Sequence, residues 1–161
     1  MIELIEVNLA QYKTDKAPNI LITHGLGSCV AVSLYDNKTK IGGLAHIMLP
    51  DSSRAKSSDN PMKFADKSLP AMLEELLRKG ADKKRIIAKM AGGAQMFQLN
   101  KFANTMPIGE QNIQSVKQNL DKLEIPLFAS DLGGNYGRTV ELFLNNGLFR
   151  IKTINEGKKD I

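Results

Sequence analysis

Two short apolar runs, residues 29–35 and 41–49, are separated only by Asp36, Asn37, Lys38, Thr39 and Lys40. Runs rich in apolar and β-branched residues on either side of a short turn-forming stretch predict a β-hairpin. This hairpin constrains the rest of the chain, because strand side chains alternate between two faces and loop length decides which residues share a face. A two-residue loop at 37–38 makes Cys29 and His46 direct cross-strand neighbours, with Cβ atoms about 4.5–5.5 Å apart. A four-residue loop leaves them diagonal on one face. A three-residue loop puts them on opposite faces unless a bulge restores the register.

Further strands are expected over 2–7, 19–23, 85–91, 126–130, 139–144 and 148–153, the last two joined by the turn Asn145-Asn146-Gly147. Residues 25–28 (Gly25-Leu26-Gly27-Ser28) read as a tight turn, as does Gly133-Gly134-Asn135-Tyr136-Gly137-Arg138. Helical spacing of Phe64, Leu69, Met72, Leu73, Leu76 and Leu77 predicts a helix over 62–79, ended by Gly80 and broken or kinked near Pro70. A second helix is expected over 111–123, preceded by Ile108-Gly109-Glu110, with Ile113, Val116, Leu120 and Leu123 on one face. Many strands with two separated helices indicate an α/β or α+β layered fold.

The 161 residues have the length of one ordinary domain, 1–161, without internal repeats. Residues 51–61 form a polar, turn-rich loop too short to divide it. The net charge of +5 is modest, and the basic stretches, residues 79–85 and Lys158-Lys159, are not interleaved with aromatics, so nucleic-acid binding is not expected. No run approaches the ~20 apolar residues of a membrane span, and the N-terminal residues do not read as a signal peptide. A single cysteine excludes an intramolecular disulfide and suits a reducing cytoplasm, the expected location.

That cysteine, Cys29, follows the glycine turn. Glycines permit close backbone approach, so the turn can present N–H groups beside the sulfur, as an oxyanion requires. A lone cysteine can equally be a small core residue. His46 sits within an apolar run, where a polar ring needs a partner; it can serve as base to the thiol or as a satisfied core histidine. Thr23 can orient the imidazole, the third-group role of a triad, or be an ordinary strand threonine. One cysteine and two histidines offer no usual zinc spacing, so no metal is expected. The glycine pairs at 42–43, 92–93 and 133–134 fit no phosphate-binding loop. They are ordinary turns and bulges, or they shape a narrow slot for a side-chain substrate. The register count predicts an even hairpin loop, or an odd one with a bulge, a contact of the Cys29 thiol with the His46 ring across the hairpin, and Thr23 at the far side of the imidazole.

The segments Thr23-His24-Gly25-Leu26-Gly27-Ser28-Cys29 with residues 30–36, and Gly42-Gly43-Leu44-Ala45-His46 with residues 47–50, resemble the signature of the CheD family of chemoreceptor glutamine deamidases. So do Ala91-Gly92-Gly93-Ala94 with Met96-Phe97, Ile108-Gly109-Glu110 with Asn112, and residues 131–138. The resemblance runs in family order over most of the chain. It implies hydrolysis of glutamine side chains on methyl-accepting chemotaxis receptors, without a cofactor, with Cys29 as nucleophile, His46 as base and Thr23 as third residue. Gly27, Ser28, Gly133, Gly134 and Asn135 are the expected oxyanion and substrate slot. The resemblance also implies a sandwich of mixed β-sheets with outer helices, like the catalytic domain of glutamine-deamidating toxins, and a CheC-type phosphatase as partner. His24, where the family is often apolar, and Gln111, where it often has arginine, depart from the pattern. A binding module with a structural Cys29, and a transamidase using the same thioester, are the rival readings.

Overall fold

The computed structural model describes residues 1–97, 105–155 and 157–161. Ten strands form two five-stranded sheets. The first has the order β1 (Leu4–Glu6), β3 (Ile20–Leu26), β8 (Arg138–Phe143), β9 (Leu148–Thr153), β10 (Gly157–Asp160). The second has the order β2 (Tyr12–Lys16), β5 (Ile41–Ile47), β4 (Val30–Asp36), β6 (Ile86–Gly92), β7 (Leu127–Leu132). Both sheets are mixed, since β1 runs parallel to β3 and β7 parallel to β6 while the other pairs are antiparallel. The sheets pack face to face, and helices α1 (Ala65–Arg78) and α2 (Ile108–Lys122) cover the outer face of the second sheet. The fold is therefore an α+β sandwich with outer helices, and both helices lie on one side.

Two apolar layers follow from strand alternation. Ala31 and Tyr35 of β4 and Leu44 of β5 meet Leu21, Leu26, Val140, Leu142 and Phe149 between the sheets. Val30, Val32 and Leu34 of β4, with Ala45 and Ile47 of β5, meet Leu69, Met72, Leu76, Val116 and Leu120 of the helices. Strand β4 is buried on both faces, which is why its sequence is a nearly unbroken apolar run.

Local rules gave way in three places. Helix α1 passes through Pro70 without a break. Leu69, Met72, Leu73 and Leu76 on either side of the proline are buried against the sheet, and that packing holds the turn whose hydrogen bond the proline cannot make. Strand β3 continues through the expected turn to Leu26, because a bulge between Thr23 and Leu26 returns Leu26 to the core. Helix α2 begins at Ile108, three residues earlier than the spacing of its apolar stripe indicates, after Pro107 as N-cap. Strands β2 and β10 were not expected. The first is a polar edge strand paired to β5, and the second is wholly exposed and paired to β9. Among the described residues, no helix is long and apolar enough to cross a membrane.

Candidate active site

The hairpin of β4 and β5 closes with a four-residue loop, since Asp36 pairs with Ile41. Its geometry comes from Asp36, whose buried carboxylate accepts from the N–H groups of Lys38 (2.9 Å) and Thr39 (3.5 Å) inside the loop. The same carboxylate accepts two hydrogen bonds from Arg85, each 2.9 Å, and one from the Asp82 N–H. Lys40 completes the loop in the left-handed region at φ 60°. In this register His46 pairs with Ala31, so Cys29, two residues before Ala31, is the diagonal neighbour of His46 on the inter-sheet face. Cys29 is half-buried and packs against the inter-sheet core. The thiol does not hydrogen-bond to the imidazole: Nε2 of His46 is buried and has no partner among the described residues. The expected contact is thus a shared face rather than a hydrogen bond.

Thr23 reaches the other ring nitrogen, with Oγ1 2.8 Å from Nδ1 of His46. The hydroxyl has one proton, and it donates that proton to the Val7 carbonyl at 2.7 Å. It can therefore only accept from the ring, so Nδ1 carries the hydrogen and Nε2 keeps its lone pair. Burial pushes the His46 pKa down to about 4, and burial also pushes the Cys29 thiol up. Both groups are neutral at rest near pH 7, a thiol beside a free base rather than a thiolate–imidazolium pair.

The turn before Cys29 is tied down by its carbonyls. Gly27 O accepts from the Ala94 N–H (2.8 Å), Ser28 O from Nδ2 of Asn112 (3.0 Å), and Cys29 O from the Gly93 N–H (2.9 Å). Gly92 lies so close behind that a Cβ there would collide with the Cys29 carbonyl. The N–H groups of Ser28 and Cys29 have no acceptor among the described residues. Gly133 and Gly134 form a further tier. The Gly133 N–H donates to Gly92 O, and Gly134 O accepts from Gln95, each at 2.9 Å, so these glycines buttress the segment behind the turn. Asn135 is exposed and lines a separate hollow with Gly25, Tyr136 and Arg138. His24 is exposed, with Nδ1 3.5 Å from the Thr139 hydroxyl, and stands apart from the inter-sheet face. Among the described residues, no group of three or more His, Cys, Asp or Glu is arranged to hold a metal.

Sequence reasoning assigned no role to Asn112, which is fully buried and binds both Ser28 O and Met48 O (3.1 Å). Its signal is visible in retrospect. It stands four residues before Val116 on the stripe that packs into the core, where a polar side chain needs partners.

The family model described as CheD chemotactic sensory transduction matches residues 48–153. A probable chemoreceptor glutamine deamidase CheD from Caldanaerobacter subterraneus subsp. tengcongensis is 47% identical over 159 residues, covering 99% of this chain and 98% of the relative. A protein of the same name from Syntrophomonas wolfei is 47% identical over 161 residues and matches both chains in full. Among solved structures, the C-terminal domain of CNFy from Yersinia pseudotuberculosis aligns with a TM-score of 0.43 and 11% identity, over 99% of this chain and 63% of that one. The chain belongs to the CheD family.

Proposed function

We propose that this chain hydrolyses glutamine side chains of methyl-accepting chemotaxis receptors to glutamate through a Cys29 thioester. The observation that carries the reading is the buried Nε2 of His46, without a partner among the described residues, on the face it shares with the one thiol of the chain. A buried acceptor left open is costly unless something uses it, and here the nearby proton source is a neutral thiol. As the glutamine carboxamide enters, Nε2 takes the Cys29 proton while sulfur bonds to the carboxamide carbon. The oxyanion faces the free N–H groups of Ser28 and Cys29. Nε2 then gives its proton to the departing nitrogen, ammonia leaves, and a thioester remains. Water attacks that thioester, its proton passes to Nε2, and collapse releases glutamate and the thiol. Every step uses groups of this chain, water and substrate, without a cofactor. A neutral amide becomes a carboxylate, which alters charge repulsion within the receptor's helical bundle.

Cys29→Ala decides the question. With purified receptor fragments the wild-type chain releases ammonia and adds about 1 Da per converted site, and the variant, folded by circular dichroism, does neither. Conversion by the variant at the wild-type rate rules the thioester out. Glutamine incorporation of an added amine in preference to water would favour the transamidase reading.

The CheC-type phosphatase belongs to the same proposal as an inhibitor that covers the mouth through which glutamine enters. It and a receptor fragment then compete for the chain, and a stable ternary complex would remove this part of the proposal.

A further inference from the structure

Three carbonyls of the turn, Gly27, Ser28 and Cys29, are held by donors, and only one of those donors is a side chain, the Asn112 amide. A trans peptide is planar, so its C=O and N–H point in opposite directions. Anchoring the Ser28 carbonyl therefore aims the Cys29 N–H, the amide next to the sulfur. We infer that Asn112 is a positioning residue for the reaction: from α2 it sets the orientation of the Cys29 N–H that receives the oxyanion. This rests on the deamidase reading above.

The attachment is specific. Asn112 is fully buried, and its two Nδ2 hydrogens are divided between Ser28 O (3.0 Å) and Met48 O (3.1 Å). One amide thus bridges the residue before Cys29 to the residue two after His46 and fixes the two segments relative to each other. The helix is seated for this. Gly109, one turn earlier, lies against the Ala94 and Gly93 carbonyls so closely that a Cβ would stand 2.6 Å from either oxygen. The segment that anchors Gly27 and Cys29 through its N–H groups is thus also the floor on which α2 rests. Ile113 and Val116 pack the same helix against the core. Removing the amide leaves Gly27 and Cys29 anchored and frees the one peptide plane between them.

The test compares Asn112→Ala with Ser115→Ala. Ser115 is a control on the same helix, since its hydroxyl donates to the Pro50 carbonyl (2.5 Å), accepts from Nδ2 of Asn119 (3.3 Å) and, among the described residues, makes no hydrogen bond to residues 27–29 or to β4 and β5. Asn112→Ala is expected to lower kcat on receptor fragments by about 10-fold or more, with KM changed less than about 2-fold, because the lost interaction belongs to the transition state. Alkylation of Cys29 by iodoacetamide forms no oxyanion and is expected to stay within about 2-fold of wild type. Ser115→Ala lowers the melting temperature and leaves kcat within about 2-fold. Asn112→Gln tests rescue by a longer amide. The inference is overturned by an unchanged kcat in Asn112→Ala, by a parallel loss of alkylation, or by an equal loss in Ser115→Ala at equal melting temperature. The ¹H–¹⁵N resonance of Cys29 reads its amide without turnover. It moves in Asn112→Ala and stays in Ser115→Ala, and an unmoved resonance overturns the positioning. Failure of the wild-type chain to release ammonia would instead defeat the deamidase reading, with the resonance still deciding what Asn112 holds.

Discussion

The Thr23 hydroxyl stands between the Val7 carbonyl and Nδ1 of His46, donating to the first at 2.7 Å and accepting from the second at 2.8 Å. A hydroxyl with both roles occupied fixes the tautomer of its neighbour. The base offered by His46 is therefore set by a strand of the opposite sheet, since Thr23 lies on β3 and His46 on β5.

Thr23→Val keeps the shape of the side chain and removes the acceptor. The imidazole can then carry its proton on Nε2, which makes it useless as a base. Deamidation is expected to fall by about 100-fold or more, with kcat rather than KM taking the loss. Stability should drop by about 1–3 kcal/mol for the unsatisfied buried N–H. Thr23→Ser retains the hydroxyl and most of the rate. Equal activity of the valine and serine variants would show that the hydrogen bond is only structural.

The neutrality of the resting pair is measurable at Cys29. Burial raises the thiol and lowers His46 to about 4, so no thiolate is stored by an imidazolium. Iodoacetamide reacts with thiolate, so the alkylation rate is expected to rise steadily with pH from about 5, in step with the thiolate fraction, and to level off only above the ordinary thiol range near 8.5. A fast, pH-independent rate down to about pH 5 would reveal an ion pair and contradict the proton transfer described above.

Much of this site was legible in the sequence because it depends on alternation and loop length. The apolar runs at 29–35 and 41–49 required a hairpin, and an even loop required Cys29 and His46 on one face, which the pairing of Ala31 with His46 satisfies. What stayed hidden depends on partners distant in the chain. The polar residues of β2 carry no strand pattern and become a strand by pairing with β5. The bulge at His24 and Gly25 is dictated by Leu26 returning to the core. Pro70 breaks an isolated helix but not one clamped by four buried neighbours. Asn112 lies 84 residues from Ser28, and no local rule joins them.

His46 also ties stability to pH. Its folded-state pKa of about 4 lies below the ordinary 6.5, so the unfolded chain takes up the proton first as pH falls. Stability is thus full above about pH 6.5, declines between about 6.5 and 4, and changes no further from this group below that. The difference amounts to about 3 kcal/mol. Urea unfolding from pH 7.5 to 4 should show this slope in the wild type, and His46→Gln should flatten it by about that amount. An unchanged slope in the glutamine variant would mean that other groups carry the acid sensitivity.

The loop that sets the register gives the last prediction. Asp36 is fully buried. Burial alone would push its carboxyl up, but the Arg85 guanidinium together with the Asp82 and Lys38 N–H groups outweighs burial and holds it well below the usual carboxylate range. Asp36→Asn keeps the shape and removes the charge that Arg85 pairs with, and it is expected to cost about 3 kcal/mol at pH 7. The sign is opposite in origin to that of a raised group. A depressed carboxyl stabilises the fold above its ordinary pKa of about 4 and loses that contribution as pH falls below it. The stability gap between wild type and Asp36→Asn should therefore be constant above about pH 5 and narrow below about pH 4. Because the same carboxylate organises the four-residue loop, the variant should also lose deamidation more steeply on warming than Ser115→Ala, as the register that keeps Cys29 and His46 on one face loosens. Equal thermal inactivation of the two variants would confine Asp36 to global stability and separate it from the placement of the dyad.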